Sequence, residues 1–290
     1  MSADTFSSVE RKERGQLRLL LFPGLFYLTL FFAVPLLVIV LYSFAVPGRG
    51  ARVEWTFTLN NYITLFTRDI YINAYVRSIW IAVLTTAICL VIGYPLALFV
   101  VRQQPGVRTA LLFLILIPFW TNFLVRTYAW MILLSNNGLI NSAIQALGLP
   151  RQALYPSEGA VLVGLVYGEL PFMVLPLYAS LARFDFTLME AASDLGAGWW
   201  SAFRRVMLPL TMPGVAAGSV LVFIPTVGQF VVSDLLGGAK VDLLGNLLQR
   251  LFTRANPPNW PLGSALAITF MAVLTIAIIV YFRVTTEDDR

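Results

Sequence analysis

The chain has no histidine, a single cysteine and only two lysines, Lys12 and Lys240, among its 290 residues. Without histidine there is no Ser–His triad, no thiolate–imidazole pair and no His-containing zinc site. One cysteine, Cys89, excludes a disulfide within the chain, and its place inside an apolar run suits a buried thiol. Neither lysine follows a glycine, so the Gly-Lys of a phosphate-cradling P-loop is missing and ATP is not bound by that device. Charge is also scarce: 12% of residues are charged against 58% hydrophobic, with mean hydropathy +0.78. A soluble domain carries about 25% charged residues, so the deficit points to lipid as the main solvent. The formal net charge of +5 fits arginines meeting anionic lipid headgroups. No basic stripe interleaved with aromatics occurs, so nucleic acid is not an expected partner.

What is present is a series of long apolar runs. Crossing about 30 Å of hydrocarbon takes roughly 20 helical residues, so stretches free of Asp, Glu, Lys and Arg mark the spans. The first lies between Arg18 and Arg49, with its core at 19–44, and the second fills the gap from Arg77 to Arg102. The third begins after Arg108 and continues past Arg126 to residue 134. The fourth, 159–182, contains one acid, Glu169; the fifth lies between Arg205 and Asp234, and the sixth covers 261–282. The expected fold is all-α: a polytopic integral membrane protein of six transmembrane helices, with a cytoplasmic segment at 1–18 and one transmembrane domain over 19–290.

Six helices place both termini on one side. Basic residues divide almost evenly between the two sides, so the cluster Arg11, Lys12, Arg14 and Arg18 ahead of the first helix decides for cytoplasmic N- and C-termini. The first apolar run is too long for a cleaved signal peptide and reads as a retained anchor. Residues 45–77, 135–158 and 234–260 then face outward. In the second of these, Asn136-Asn137-Gly138 turns the chain, Leu139, Ile140, Ala143, Ile144 and Leu147 recur helically, and Gly148 and Pro150 stop the run. That pattern predicts a short amphipathic helix on the outer face. The halves show no sequence repeat, which weighs against transporters built from inverted repeats.

One inner-side stretch departs from this greasy pattern: EAASDLGAGWWSAFRRVMLPLTMPG, residues 190–214. It reads as two short helices joined at a glycine corner. Asp185 or Thr187 can cap the first, and Thr187 with Glu190 fits a capping box. Leu188, Ala191, Ala192 and Leu195 share one face, while Glu190 and Asp194 share another. Gly196 stands where a left-handed residue closes a helix. The second helix carries Phe203, Val206 and Met207 opposite Arg204 and Arg205; Leu208-Pro209 ends or kinks it, and Pro213 opens the fifth span. Spacing alone leaves two readings open, a solvated hairpin or a face that another protein approaches.

The pattern Glu190-Ala191-Ala192, Gly196, Leu208-Pro209 resembles the EAA motif of ABC-importer permeases. FTLNNYITLF, PFWTNFLVRTYAWMILLSNNGLIN, ELPFMVLPLYASL and FVVSDLLGG are similar to segments of the spermidine/putrescine-type branch, so the resemblance runs through nearly the whole chain. It implies a type I ABC importer permease in a bacterial inner membrane, with a coupling loop at about 183–213. Glu190, Ala191, Ala192, Asp194, Gly196, Leu208 and Pro209 would then serve docking to an ATPase. The partners implied are a second, similar permease subunit, two ATPase subunits carrying ATP and Mg, an external substrate-binding protein and membrane lipid, with no cofactor on this chain. One departure stands out: related loops often place a polar residue and a proline where this chain has Gly198-Trp199.

An ionisable group at membrane depth costs roughly 2.5–3.5 kcal/mol on insertion scales, so Glu169 is a substrate-path candidate. The branch usually carries an acid where this chain has Gln229, and Asp234 near the outer end of the fifth helix is a second place to meet a cation. Phe119, Trp120, Tyr128 and Trp130 are aromatic faces on which a cationic substrate can stack. The expected cargo is a polyamine or related organic cation, with an opine or amino-acid derivative as the alternative. A stand-alone ion-coupled transporter and a membrane-embedded enzyme are rivals from other classes; the enzyme lacks paired carboxylates at membrane depth and any histidine or metal cluster.

Overall fold

The structure is a computed structural model that describes residues 20–48, 52–255 and 257–287. The basic cluster Arg11, Lys12, Arg14 and Arg18, on which the sidedness argument rests, lies outside the described residues, as does the whole of segment 1–18. In chain order the elements are α1 (Leu20–Ser43), a short hairpin β1 (Val46–Pro47) and β2 (Val53–Glu54), α2 (Asn60–Thr67) and α3 (Asp69–Val101). Then come α4 (Pro105–Trp120), α5 (Phe123–Leu134), α6 (Leu139–Ala146) and α7 (Glu158–Leu181). The second half holds α8 (Thr187–Asp194), α9 (Trp199–Leu210), α10 (Met212–Gly228), α11 (Val231–Gly237), α12 (Leu244–Gln249) and α13 (Trp260–Glu287).

Among the described residues, four helices are long and apolar enough to cross a membrane: Leu20–Ser43, Asp69–Val101, Glu158–Leu181 and Trp260–Ile279. Two bent pairs raise the number to six when each pair counts as one span: α4 with α5, bent by 90°, and α9 with α10, bent by 69°. The protein is thus a mostly helical membrane protein, but the third and fifth spans are not the continuous helices expected. The third breaks at Thr121-Asn122, where Asn122 Oδ1 accepts from the N–H groups of Leu124 (2.9 Å) and Val125 (3.3 Å) and so starts a new helix. The fifth stops at Gly228, short of Asp234. The second span, in turn, starts at Asp69 rather than at Arg77. Arg77 is tolerated inside α3 because its Nη2 bonds Glu158 at 2.8 Å and its Nη1 donates to the Lys240 carbonyl at 3.0 Å. The short helix predicted in 135–158 forms at Leu139–Ala146 as its periodicity predicts, and Gly148 follows it at φ +77°.

Backbone contacts separate two compact units, one of residues up to Leu65 with Leu251–Ala272, the other of Phe66–Arg250 with Val273–Arg290. In the first unit, buried Asn61 donates to the Ser43 and Ala45 carbonyls at the end of α1, both at 2.9 Å, and Tyr62 Oη donates to Ser43 Oγ at 2.7 Å. These bonds satisfy carbonyls that the helix end leaves free.

In the second unit α3, α7 and α10 pack on one another around Cys89, Tyr94, Ala97, Met173, Leu177, Val215 and Val222. Their close approach depends on small residues. A Cβ on Gly218 would lie 2.8 Å from Met173 Sδ and 3.1 Å from its carbonyl oxygen, and one on Gly214 would lie 2.9 Å from the Pro176 oxygen. Small residues are the usual means by which membrane helices bring backbones together, since lipid offers no hydrophobic drive between them. Tyr94 Oη and Thr211 Oγ1, both buried and 2.8 Å apart, tie α3 to the bend between α9 and α10. A second core gathers Ile81, Leu134, Ala160, Val161, Leu165, Val232 and Leu236.

Candidate functional site

Residues 183–213 form the two short helices and glycine corner expected, with one difference at the start. The Thr187–Glu190 capping box is absent. Instead Asp185 Oδ1 accepts from the Thr187 hydroxyl (2.8 Å) and from the Thr187 N–H (3.0 Å). The hydroxyl bond, with the N–H bond second, holds the exposed Asp185 carboxyl below the usual range. Thr187 does not cap because it already lies within the helix, its hydroxyl donates to Asp185, and the Glu190 N–H bonds the Phe186 carbonyl at 3.4 Å.

The helix end is as specific as the sequence suggests. Gly196 has φ +85°, its N–H bonds the Ser193 carbonyl at 2.9 Å, and the Ala197 N–H bonds the Ala192 carbonyl at 3.0 Å. This is the Schellman pattern, which needs a left-handed residue at the corner. A Cβ on Gly196 would meet nothing within 4 Å, so backbone conformation, not crowding, calls for glycine.

The faces of α8 sort differently from their apolarity. Met189 and Phe186 pack on the core, whereas Leu188 is 42% and Leu195 90% exposed. Glu190, Ala191, Asp194 and Gly196 are also exposed, and Ala192 is half-buried. Glu190 and Asp194 line one cleft with Met189, Ser193, Arg102 and Trp199. In α9, Met207 is buried and Phe203 half-buried while Arg204 and Arg205 face out, and Pro209 follows Leu208 in the last turn before the bend at Thr211. The Gly198-Trp199 departure leaves the backbone intact. Gly198 is the N-cap (φ −65°, ψ 157°) and Trp199 the first helical residue, the two places that a polar cap and a proline occupy in other helices. Trp199 stacks on Phe203 at 5.5 Å.

The substrate-path candidates divide. Glu169 and Gln229 line one cavity of about 350 Å³ with Phe119, Thr121, Phe123, Arg126, Gly168 and Phe172. Glu169 Oε2 is buried there and has no hydrogen-bond partner. Phe119 and Phe172 meet edge to face at 5.3 Å. Gln229 Oε1 accepts from the N–H groups of Phe230 (3.0 Å) and Val231 (3.1 Å), bridging the gap between α10 and α11. Trp120, Tyr128, Trp130 and Asp234 are not among the lining residues. Trp120 is 79% exposed; Trp130 packs edge-on against Tyr167 at 5.4 Å; Tyr128 is exposed. Asp234 Oδ1 accepts from Asn246 Nδ2 at 2.7 Å, and Asn246 Oδ1 accepts from Ser233 Oγ at 2.6 Å.

Sequence reasoning missed Arg126, treating it as an interruption of the third span. It lines the cavity beside Glu169, and its Nη1 donates to the Pro118 carbonyl at 2.8 Å, across the break between α4 and α5. Thr121 Oγ1 donates to the same carbonyl at 2.6 Å. A helix broken at membrane depth must have its freed backbone groups satisfied within the protein. The signal was present as Pro118 followed by Thr121-Asn122, a stop and an N-cap within five residues.

With this geometry in hand, the comparisons with known proteins are consistent with one another. No family model matches the sequence. The spermidine/putrescine transport system permease protein PotB of Escherichia coli (strain K12) is 42% identical over 260 residues, covering 89% of this chain and 93% of that protein. PotB of Haemophilus influenzae is 41% identical over 267 residues, covering 91% and 92%. The inner membrane ABC transporter permease protein YdcU of Escherichia coli is 32% identical over 215 residues, covering 69% and 67%. The chain belongs to the PotB-like ABC-importer permease family. The permease is a multi-pass membrane transport subunit rather than an enzyme. Its fold matches a chain of the crystal structure of a bacterial ABC transporter involved in alginate import, with TM-score 0.76 at 17% identity over 98% of this chain and 99% of that one.

Proposed function

We propose that this permease forms the translocation path of an ATP-driven importer for polyamines of the spermidine/putrescine class. The observation that carries the cargo assignment is 42% identity over 89% of the chain to a permease named for those compounds. The buried, unpartnered Glu169 carboxylate in the cavity supports it, because an ammonium group is the donor such an oxygen lacks. Phe119 and Phe172 offer apolar contact for an alkyl chain and ring faces for a cation.

The partners in this reading are a second permease subunit, two ATPase subunits carrying ATP and Mg, and a binding protein outside the membrane. A related fold has been solved with an alginate-bound periplasmic protein. Both termini are cytoplasmic, which puts residues 183–213 on the ATPase side. There Leu188, Ala191 and Leu195 are apolar side chains without a cover in this chain, flanked by Glu190 and Asp194. Closure of the ATPase subunits on ATP would draw the loops of the two permeases together. Because α8 and α9 lead through the Thr211 bend into α10, that motion would pass to the helices that line the path.

A second reading has one observation in its favour: Arg126 gives the cavity a positive charge beside the negative one, which suits an amino-acid derivative or opine. Reconstituting the permease with its partners and measuring uptake of labelled putrescine, spermidine and an amino-acid derivative decides between them. The polyamine reading expects vanadate-sensitive polyamine uptake. Uptake without the ATPase would instead make this a stand-alone transporter, and uptake of only the amino-acid derivative would replace the cargo.

A further inference from the structure

The cavity's positive charge, Arg126, has no part in the polyamine reading. Arg126 enters from the first turn of α5. Its Nη1 is tied to the Pro118 carbonyl at 2.8 Å, and its guanidinium carbon sits 5.8 Å from the Phe123 ring centre and 5.9 Å from that of Tyr167. Its Nη2 passes over Gly168, where a Cβ would stand 4.0 Å away in ordinary van der Waals contact. Glu169, one residue further along α7, lines the same cavity, yet among the described residues no ion pair of 4 Å or less joins the two. The guanidinium is therefore held by a carbonyl and two rings, while Glu169 Oε2 is left without a donor. An arginine cannot lose its proton to relieve repulsion, and the Pro118 carbonyl and the two ring faces hold this one beside the cavity.

We infer that Arg126 is the specificity-determining residue of this cavity: it restricts the site to a single ammonium group, which Glu169 receives. The inference rests on the polyamine reading. A cargo with one ammonium at Glu169 can lay its alkyl chain against Phe119 and Phe172. Every further ammonium is then brought toward a fixed like charge in surroundings that screen poorly. Tolerance should fall in the order diamine, triamine, tetra-amine. The ring faces attract the guanidinium without removing its charge, so the residue disfavours further ammonium groups and does not close the site.

The test uses the complete importer in proteoliposomes and reads the ratio of triamine to diamine uptake. Arg126→Gln removes the charge but keeps a donor for the Pro118 carbonyl; Arg126→Lys keeps both. The expected result is a rise of about tenfold in the ratio for the Gln variant, with the Lys variant near wild type. An unchanged ratio in an Arg126→Gln importer that assembles normally overturns the inference. If that variant does not assemble, the unaltered importer still decides, by comparing a triamine with its singly N-acetylated form. Preference for the acetylated form supports the inference, and preference for the full triamine overturns it. Failure of wild type to take up any polyamine is a separate result, because it removes the cargo reading and leaves an amino-acid derivative to be tried.

Discussion

The loop at 183–213 and the cavity at Glu169 are both built where helices are interrupted, but they meet the interruption in opposite ways. In the loop, the broken ends are closed by the chain's own backbone: Gly196 and Ala197 return their N–H groups to the helix they leave. Its side chains are thereby free to face outward, as Leu195 does at 90% exposure. In the cavity, side chains do the closing. Asn122, Thr121 and Arg126 answer the break in the third span, and Gln229 answers the one after α10. The first arrangement leaves a surface that partners can read. The second spends its polar groups on structure and leaves one carboxylate over.

The sharpest way to break this contrast is at the glycine corner, where the largest effect is expected. Gly196→Glu should abolish ATP-driven uptake by more than about tenfold while membrane yield stays normal. Holding the left-handed conformation of the corner costs a Cβ-bearing residue about 1–2 kcal/mol, and a bulky acid would stand on the proposed docking face. Gly196→Asn should retain part of the activity, because asparagine tolerates that conformation. Uptake assays beside quantified membrane insertion check both, and normal transport by the Glu variant would remove the coupling assignment.

The next largest effect is expected in the cavity. Glu169→Gln keeps size and hydrogen bonding but not charge. Losing a charge-assisted hydrogen bond worth about 1.5–3 kcal/mol should lower polyamine uptake by roughly ten- to a hundredfold. Assembly should be unaffected, since Oε2 bonds nothing in the protein. Unchanged uptake would show that the carboxylate only packs.

These two residues also mark what was legible in advance. Gly196 was readable because a left-handed corner after an amphipathic run leaves few residues to choose from, and Glu169 because an acid within a long apolar run is anomalous. Arg126 was missed since its partner, the Pro118 carbonyl, exists only once the third span breaks, and charge-free windows do not register breaks. Asp234 was singled out as a cation site, yet its oxygen is bonded by Asn246, twelve positions on, through a contact that only the folded chain creates. Gln229 was judged by the charge it lacks, when its carbonyl caps a helix gap, a service that an amide or an acid can provide. The fold was legible from hydropathy to the level of spans, but not where Pro, Asn and Gly divide them.

A smaller effect tests the exposed face directly. Leu195 is 90% exposed, so in the Leu195→Asp variant thermal stability of the purified permease should move by less than about 0.5 kcal/mol. Its association with the ATPase should weaken several-fold in co-purification, because a leucine side chain would no longer be buried against the partner. If association held while stability fell, Leu195 would belong to the chain's own packing and the outward face would lose its assigned use.

The smallest effect is expected at Gly198-Trp199, where the family resemblance leads one to expect a polar residue and a proline. Gly198 and Trp199 already hold the backbone of an N-cap and a first helical residue, so Gly198→Ser with Trp199→Pro should be accepted without rearrangement. Serine can accept from the N–H groups of the first turn, and proline at the first position forfeits only a donor that a helix leaves unpaired in any case. Against these small gains stands the removal of the Trp199 stack on Phe203, worth about 0.5–1.5 kcal/mol where such pairs have been measured. The two terms are of similar size and opposite sign, so stability and uptake should both stay within about twofold of wild type. A large loss of uptake at unchanged stability would mean that Trp199 contacts the ATPase itself, and that the departure is a feature of this importer's own docking surface.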